Sequence, residues 1–202
     1  MKKYITLLLV FTAILSQAQS KTLKAGETAP DFKLKNVDNK QISFESYPKA
    51  KGFIVVFTCN TCPYAKAYEQ RILDLDAKFK SQGYPVIAIN PNDPEASKAD
   101  TFDKMQDLAK EKKYSFPYLF DQGQVVTDQY GAKHTPHLFV VSKTEKGTVV
   151  EYTGAIDNDP EGTKSEKTKY VEEVVASLLN NKKPAITETK EIGCTVKRKT
   201  KA

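Results

Sequence analysis

Beyond its N-terminus the chain lacks any apolar run of the roughly 20 residues that a membrane-spanning helix needs. It shows no internal repeat, which sets aside architectures built from stacked copies of one unit. Its formal charge of +6 is scattered, and the only basic run is "KRKTK", Lys197 to Lys201. That run reads as a solvated tail. A nucleic-acid surface would need a basic face interleaved with aromatics, so no nucleic-acid partner is expected. Cysteine is scarce too: three residues in 202. An odd count does not suit a framework of structural staples and leaves at least one thiol free or chemically active.

Apolar residues make up 40% of the sequence and charged residues 28%. That balance suits one folded domain with a core of its own. Met1 to Lys3 open with basic residues, "ITLLLVFTAIL" follows at Ile5 to Leu15, and Ser16 and Ala18 are small. These are the three parts of an export signal, with a cut expected after Ala18. The expected organisation is therefore a signal peptide at 1–18, a domain at 19–184 and a tail at 185–202. Export would leave no stable membrane insertion and would place the mature chain in the periplasm or cell envelope, an oxidising setting.

Hydrophobic periodicity gives the elements. Phe32-x-Leu34 and Ile42-x-Phe44 alternate around "NVDNK" and predict a hairpin. "FIVVFT" (Phe53 to Thr58) reads as a buried strand. From Tyr64 to Lys80, apolar residues recur at three and four positions, which predicts an amphipathic helix. "YPVIAIN" predicts a second buried strand, and "PNDPEAS" turn and helix-cap material around Asp93. A helix through Phe102, Met105 and Leu108 comes next, then a short strand at "FPYLFD" and a short helix ended by Gly131. A hairpin from "HLFVVS" and "TVVEYTG", a polar loop at "DNDPEGTKSEKT" and a helix over 169–180 complete the set. Strands alternating with helices predict an α/β core.

The stretch "VVFTCNTCPYAKAYEQRI" carries the chemistry. Cys59 ends a buried strand and Cys62 opens a helix. Such a pair could be a redox dithiol, half of a metal site, a haem attachment or an inert disulfide. Haem attachment needs a histidine directly after the second cysteine, and Pro63 stands there instead. At a helix N-terminus, unpaired N–H groups and the dipole lower a thiol pKa. The expectation is an exposed Cys59 thiolate as nucleophile, with Cys62 one turn on as the resolving thiol.

This strand–Cys-x-x-Cys–helix unit resembles thioredoxin. "HTPHLFVV" places Thr135-Pro136 before a strand, where thioredoxin-like proteins carry a cis-proline loop that holds the substrate chain. "AGETAPDFKLKNVDNKQISF" is similar to the opening of the redoxin branch, which includes the alkyl-hydroperoxide-reductase and thiol-specific-antioxidant proteins. "CNTCPYAKAYEQRI" and "ETKEIGCTVK" resemble a peroxiredoxin-like bacterial subgroup with a further cysteine near its C-terminus. The resemblance implies a thioredoxin-like fold: a central mixed sheet flanked by helices, with an N-terminal hairpin in front. It implies an enzyme of disulfide exchange without a cofactor. Its partners would be thiol- or disulfide-containing proteins and an electron donor or acceptor.

Two departures bear on the reaction. Peroxiredoxins place their attacking cysteine in "P-x-x-x-T/S-x-x-C", and neither Cys59 nor Cys62 fits that frame. Thioredoxins carry a buried acid in the strand before the dithiol, and "FIVVFT" has none. Three rivals to the exchange enzyme therefore stand: a thiol peroxidase, a copper-handling protein and a binding module without catalysis. Copper or zinc would use Cys59, Cys62 and one or both of His134 and His137, the only histidines. An imidazolium there would otherwise lower the Cys59 pKa. Cys194 is the candidate third redox thiol, and Tyr64 is placed beside the pair.

Overall fold

A computed structural model describes residues 21–199. The expected signal peptide at 1–18 lies outside the described residues. The thioredoxin-like α/β architecture is the one found. The central sheet has seven strands, introduced here in chain order. β1 (Leu34–Asn36) and β2 (Gln41–Ile42) form the N-terminal hairpin, and β3 (Gly52–Phe57) leads to α1 (Pro63–Phe79). β4 (Val86–Asn90), α2 (Phe102–Glu111), β5 (Tyr118–Phe120) and α3 (Val125–Tyr130) follow. β6 (His134–Thr135), β7 (His137–Thr144), β8 (Gly147–Gly154), α4 (Tyr170–Leu179) and β9 (Cys194–Thr195) complete the order.

The strands lie as β2-β1-β5-β4-β3-β7-β8. β3, β4 and β5 are parallel neighbours, while β7 runs antiparallel to β3 and to β8. The N-terminal hairpin is more than an extension in front of the core. β1 pairs with β5 through Lys35 and Asn36, so the hairpin widens the sheet itself.

β3 explains the centre. Phe53 to Phe57 are all 0% exposed, so both faces of the strand meet apolar layers. Ile54 and Val56 face α1 and α4, packing near Tyr68, Ile72, Leu75 and Val174. Phe53, Val55 and Phe57 face the other side, with Phe44, Tyr130 and Phe139. Burying each such side chain is worth roughly 1.5–3 kcal/mol. The periodic residues of α1, Ala65, Tyr68, Ile72, Leu75 and Phe79, are the apolar ones it buries. Gly83 then turns the chain at φ +99°.

Three expectations need correcting. Asp93 caps no helix: its carboxylate takes the N–H groups of Glu95 and Ala96 in a turn, and α2 starts at Phe102 after Thr101. Phe44 lies in a short 3-10 turn rather than in the second hairpin strand. The polar loop after β8 is anchored as well as solvated. Asp157 and Asp159 are 2% and 1% exposed, and Asp157 holds the Arg71 guanidinium at 2.8 Å.

Candidate redox site

β3 and α1 bring the two cysteines together because the chain leaves the sheet at Thr58 and enters the helix at Pro63. Cys62 is the N-cap of α1, with extended backbone, and Pro63 fills the first helical position where no N–H is missed. Thr135 faces both sulfurs. Its hydroxyl lies 3.2 Å from Cys59 Sγ, and its carbonyl accepts the Cys62 S–H at 3.0 Å. The Thr135-Pro136 bond is cis. All three cysteines are free thiols.

The pKa expectation reverses. Burial pushes the Cys59 thiol up, and the Asp100 charge adds to this. The Thr135 hydroxyl and the N–H groups of Cys62 and Thr61 offset only part of it. Burial also pushes Cys62 up, but there it is outweighed. The Cys194 thiol and N–H groups of Ala65, Cys194 and Tyr64 converge on this sulfur and hold it below its ordinary value. The reason is position: the free N–H groups of the helix start point at the N-cap residue, and that is Cys62. Neither sulfur is open to solvent. Cys59 is 6% exposed and Cys62 4%, so an exposed Cys59 nucleophile is not what the structure holds.

What covers them is the tail. Residues 187–197 return across the site as a strap. Thr189 N–H bonds the Thr153 carbonyl, and Ala155 N–H bonds the Thr189 hydroxyl. β9 pairs antiparallel with β6, setting Cys194 opposite Thr135 and Thr195 opposite His134. The Cys194 N–H then reaches Cys62 Sγ at 3.3 Å. Beyond it, Val196 N–H bonds the Lys133 carbonyl and Lys197 N–H bonds Asn92 Oδ1. Gly193 permits the crossing, since a Cβ there would stand 2.3 Å from the Thr135 carbonyl oxygen. Burial, followed by the neighbouring Cys62 sulfur, raises the Cys194 thiol to about 11.

A buried acid does lie near the pair, though not in β3. Asp100, fully buried, sits beneath the Asn60-Thr61 pair that separates the cysteines. It accepts Asn60 N–H at 2.7 Å, Asn92 Nδ2 at 2.9 Å and Ser97 Oγ at 2.5 Å. Tyr118 O–H donates to Asn60 Oδ1 at 2.8 Å. Sequence reasoning missed both residues. The one available signal was an aspartate inside a loop of asparagines, "NPNDPEASKAD", which alone reads as a turn.

The histidines do not join the thiols. His134 Nδ1 lies 3.2 Å from Glu191, and His137 Nε2 lies 3.0 Å from the Thr153 hydroxyl. Among the described residues, no group of three or more His, Cys, Asp and Glu side chains could hold a metal ion. The four residues expected for copper, Cys59, Cys62, His134 and His137, are thus not gathered into one ligand set here. Burial drives His137 down to about 4, so it is neutral near pH 7 and lends the thiols no positive charge. Tyr64 contributes its backbone N–H to Cys62, while its ring is exposed.

Comparison with known proteins finds relatives named as thiol–disulfide oxidoreductases and as peroxiredoxins. The thiol–disulfide oxidoreductase ResA of Halalkalibacterium halodurans is 28% identical over 134 residues, 66% of this chain and 70% of that one. A chloroplastic peroxiredoxin Q of Populus jackii is 29% identical over 115 residues, 52% of this chain and 46% of that one. A crystal structure of a hypothetical protein from Sinorhizobium meliloti 1021 superposes with a TM-score of 0.82. It is 27% identical and covers 90% of this chain and 98% of its own. The pattern of the AhpC/TSA family matches residues 25–152. That match spans the hairpin, the dithiol and most of the sheet, and the chain belongs to the AhpC/TSA family.

Proposed function

We propose that the chain is a thiol–disulfide oxidoreductase whose Cys59 and Cys62 cycle between dithiol and disulfide. The observation that carries this is the meeting of both sulfurs on Thr135, at a cis-proline and a helix N-terminus. Cys59 attacks the disulfide of a protein partner and forms a mixed disulfide. Cys62 then attacks Cys59 Sγ, closes Cys59–Cys62 and releases the partner as a thiol. The order follows from what holds each sulfur. Outside the Cys-x-x-Cys turn and α1, Cys62 is gripped by the Thr135 carbonyl and the Cys194 N–H, and Cys59 meets the Thr135 hydroxyl. The lowered pKa of Cys62 suits it to the second attack. Thr135 and Pro136 form the edge against which a partner chain lies. Export to the cell envelope belongs to the same proposal and rests on the N-terminal leader. No helix among the described residues is long and apolar enough to cross a membrane.

The test is equilibration of the purified chain against glutathione. A reversible two-electron couple is expected, retained in Cys194→Ser and lost when Cys59→Ser or Cys62→Ser is added to that variant. A potential near the roughly −270 mV of thioredoxin would assign a reductase, and one near the roughly −120 mV of a periplasmic oxidant a disulfide donor. Absence of a couple would refute the reading. Turnover of hydrogen peroxide faster than disulfide exchange would make the chain a thiol peroxidase instead.

A further inference from the structure

Of the three sulfurs, the two of the pair are buried, and Cys194 alone is partly exposed. The three pack as one cluster with Ala65. Cys62 stands between the other two. It shares the Cys-x-x-Cys turn with Cys59, and it receives the Cys194 N–H at 3.3 Å. The register is fixed on both sides of that contact. β9 pairs with β6, and the backbone bonds of Val196 and Lys197 hold the far end. Gly193 presses on the Thr135 carbonyl, the same group that takes the Cys62 S–H. So the strap does not merely cover the pair. It delivers one thiol to one particular sulfur.

We propose that Cys194 moves the disulfide outward: its thiolate attacks Cys62 Sγ of the Cys59–Cys62 disulfide, forming Cys62–Cys194 and releasing Cys59. The step rests on the thiol–disulfide reading above. One S–S bond forms as one breaks, and no electrons enter or leave. Cys59 departs as a thiolate and takes up the proton that Cys194 gave up. The Thr135 hydroxyl lies 3.2 Å from the departing sulfur and can donate to it. The reduced state itself restrains the attack. Part of what raises the Cys194 thiol is its hydrogen bond to Cys62 and the charges of Cys62 and Cys59, and these vanish once the pair is oxidised. The result is a disulfide at the partly exposed position, open to a partner thiol, with Cys59 free again.

The experiment is disulfide mapping. The purified chain is oxidised with limiting diamide, quenched in acid and alkylated at its free thiols. Trypsin leaves both pair cysteines on peptide 52–66 and Cys194 on peptide 191–197. A cross-linked 52–66/191–197 species is expected, with its fragments placing the bond on Cys62 and the alkyl group on Cys59. In Cys59→Ser this cross-link should become the main oxidised form. In Cys62→Ser, with folding checked by circular dichroism, a Cys59–Cys194 link should fall at least tenfold below it. If oxidised chains carry only Cys59–Cys62 with Cys194 alkylated, the relay is refuted and the enzyme reading stands. If neither disulfide forms, both fail.

Discussion

The faces of the central sheet and the dithiol end of α1 are closed by different forces. On the faces, Phe57 meets Tyr130 and Phe139 ring to ring at 5.5 and 5.8 Å, within a continuous apolar layer. At the dithiol end the only fully apolar side chain in the cluster is Ala65. The rest is hydrogen bonding from Thr135, Asp100 and the strap. Apolar closure is distributed over many contacts and opens only when the domain unfolds. A closure made of a few hydrogen bonds, each worth about 1 kcal/mol net, can open locally while the core stays shut. A buried dithiol that must meet a partner needs the second kind.

The largest effect expected is on the first kind. Phe57→Ala empties a site that is 0% exposed and should lower unfolding stability by about 3–5 kcal/mol. Under folding conditions, alkylation of the thiols should hardly change. Urea denaturation and timed alkylation measure the two quantities, and a parallel rise in thiol reactivity would break the contrast.

Next comes acid. His137 has a folded pKa of about 4 against an ordinary 6.5, so the unfolded chain binds the extra proton between those values. Stability is therefore full above 6.5 and falls as pH drops toward 4, by on the order of 3 kcal/mol. Glu172 and Glu191, held below 4.5, contribute stability present above 4.5 and lost at lower pH as their carboxylates protonate. Urea titrations of the parent and His137→Gln across pH 7 to 4 should diverge, with the variant flatter above 4.5. Superimposable curves would show that His137 is not the group responsible.

Asp100→Asn tests the hydrogen-bonded end. It removes a buried charge that gathers several donors, and a loss of about 1–3 kcal/mol is expected. Because the Asp100 charge helps hold the Cys59 thiol up, Cys59 should also ionise at lower pH in the variant. The ultraviolet absorbance of the thiolate reads this directly. An unchanged titration would mean that the carboxylate only builds the loop.

What was legible in the sequence follows the same division. β3, β4, α1 and the β7–β8 hairpin announced themselves because apolar burial leaves a period in the chain. Cys59 and Cys62 were legible as a pair because the motif joins strand end to helix start, and Thr135-Pro136 through the resemblance to thioredoxin. The lowered thiol was misassigned, since the helix start was placed beside Cys59 when the N–H groups converge on the N-cap, Cys62. Asp100 and the strap were not legible. Asp100 acts across 40 residues of sequence on Asn60. β9 is two residues long and has a polar partner, so it carries no alternation to read. The histidines were candidate ligands because they flank Pro136, near the pair. Their rings are turned toward Glu191 and Thr153 by contacts that arise only in the fold.

The smallest effect on stability, and the sharpest on reactivity, should come from Gly193→Ala. The added Cβ would stand 2.3 Å from the Thr135 carbonyl oxygen and 2.6 Å from its carbon, both backbone atoms held by β6. The strap must move, because the cis-proline loop is built into β7 directly behind it. The losses are the β6–β9 pairing and the Cys194 N–H to Cys62, within about 2 kcal/mol in all. Global unfolding should shift little, since Thr189 and Lys197 still tie the strap at its ends. The sulfur beneath should gain more: weakening the cover by 1.4 kcal/mol raises the open population about tenfold. Native-state alkylation of Cys62, read by mass spectrometry, should quicken on that order while the urea midpoint stays near the parent value. If instead the variant unfolds as readily as Phe57→Ala and its thiols react no faster when folded, the strap belongs to the core, and the two kinds of closure are one.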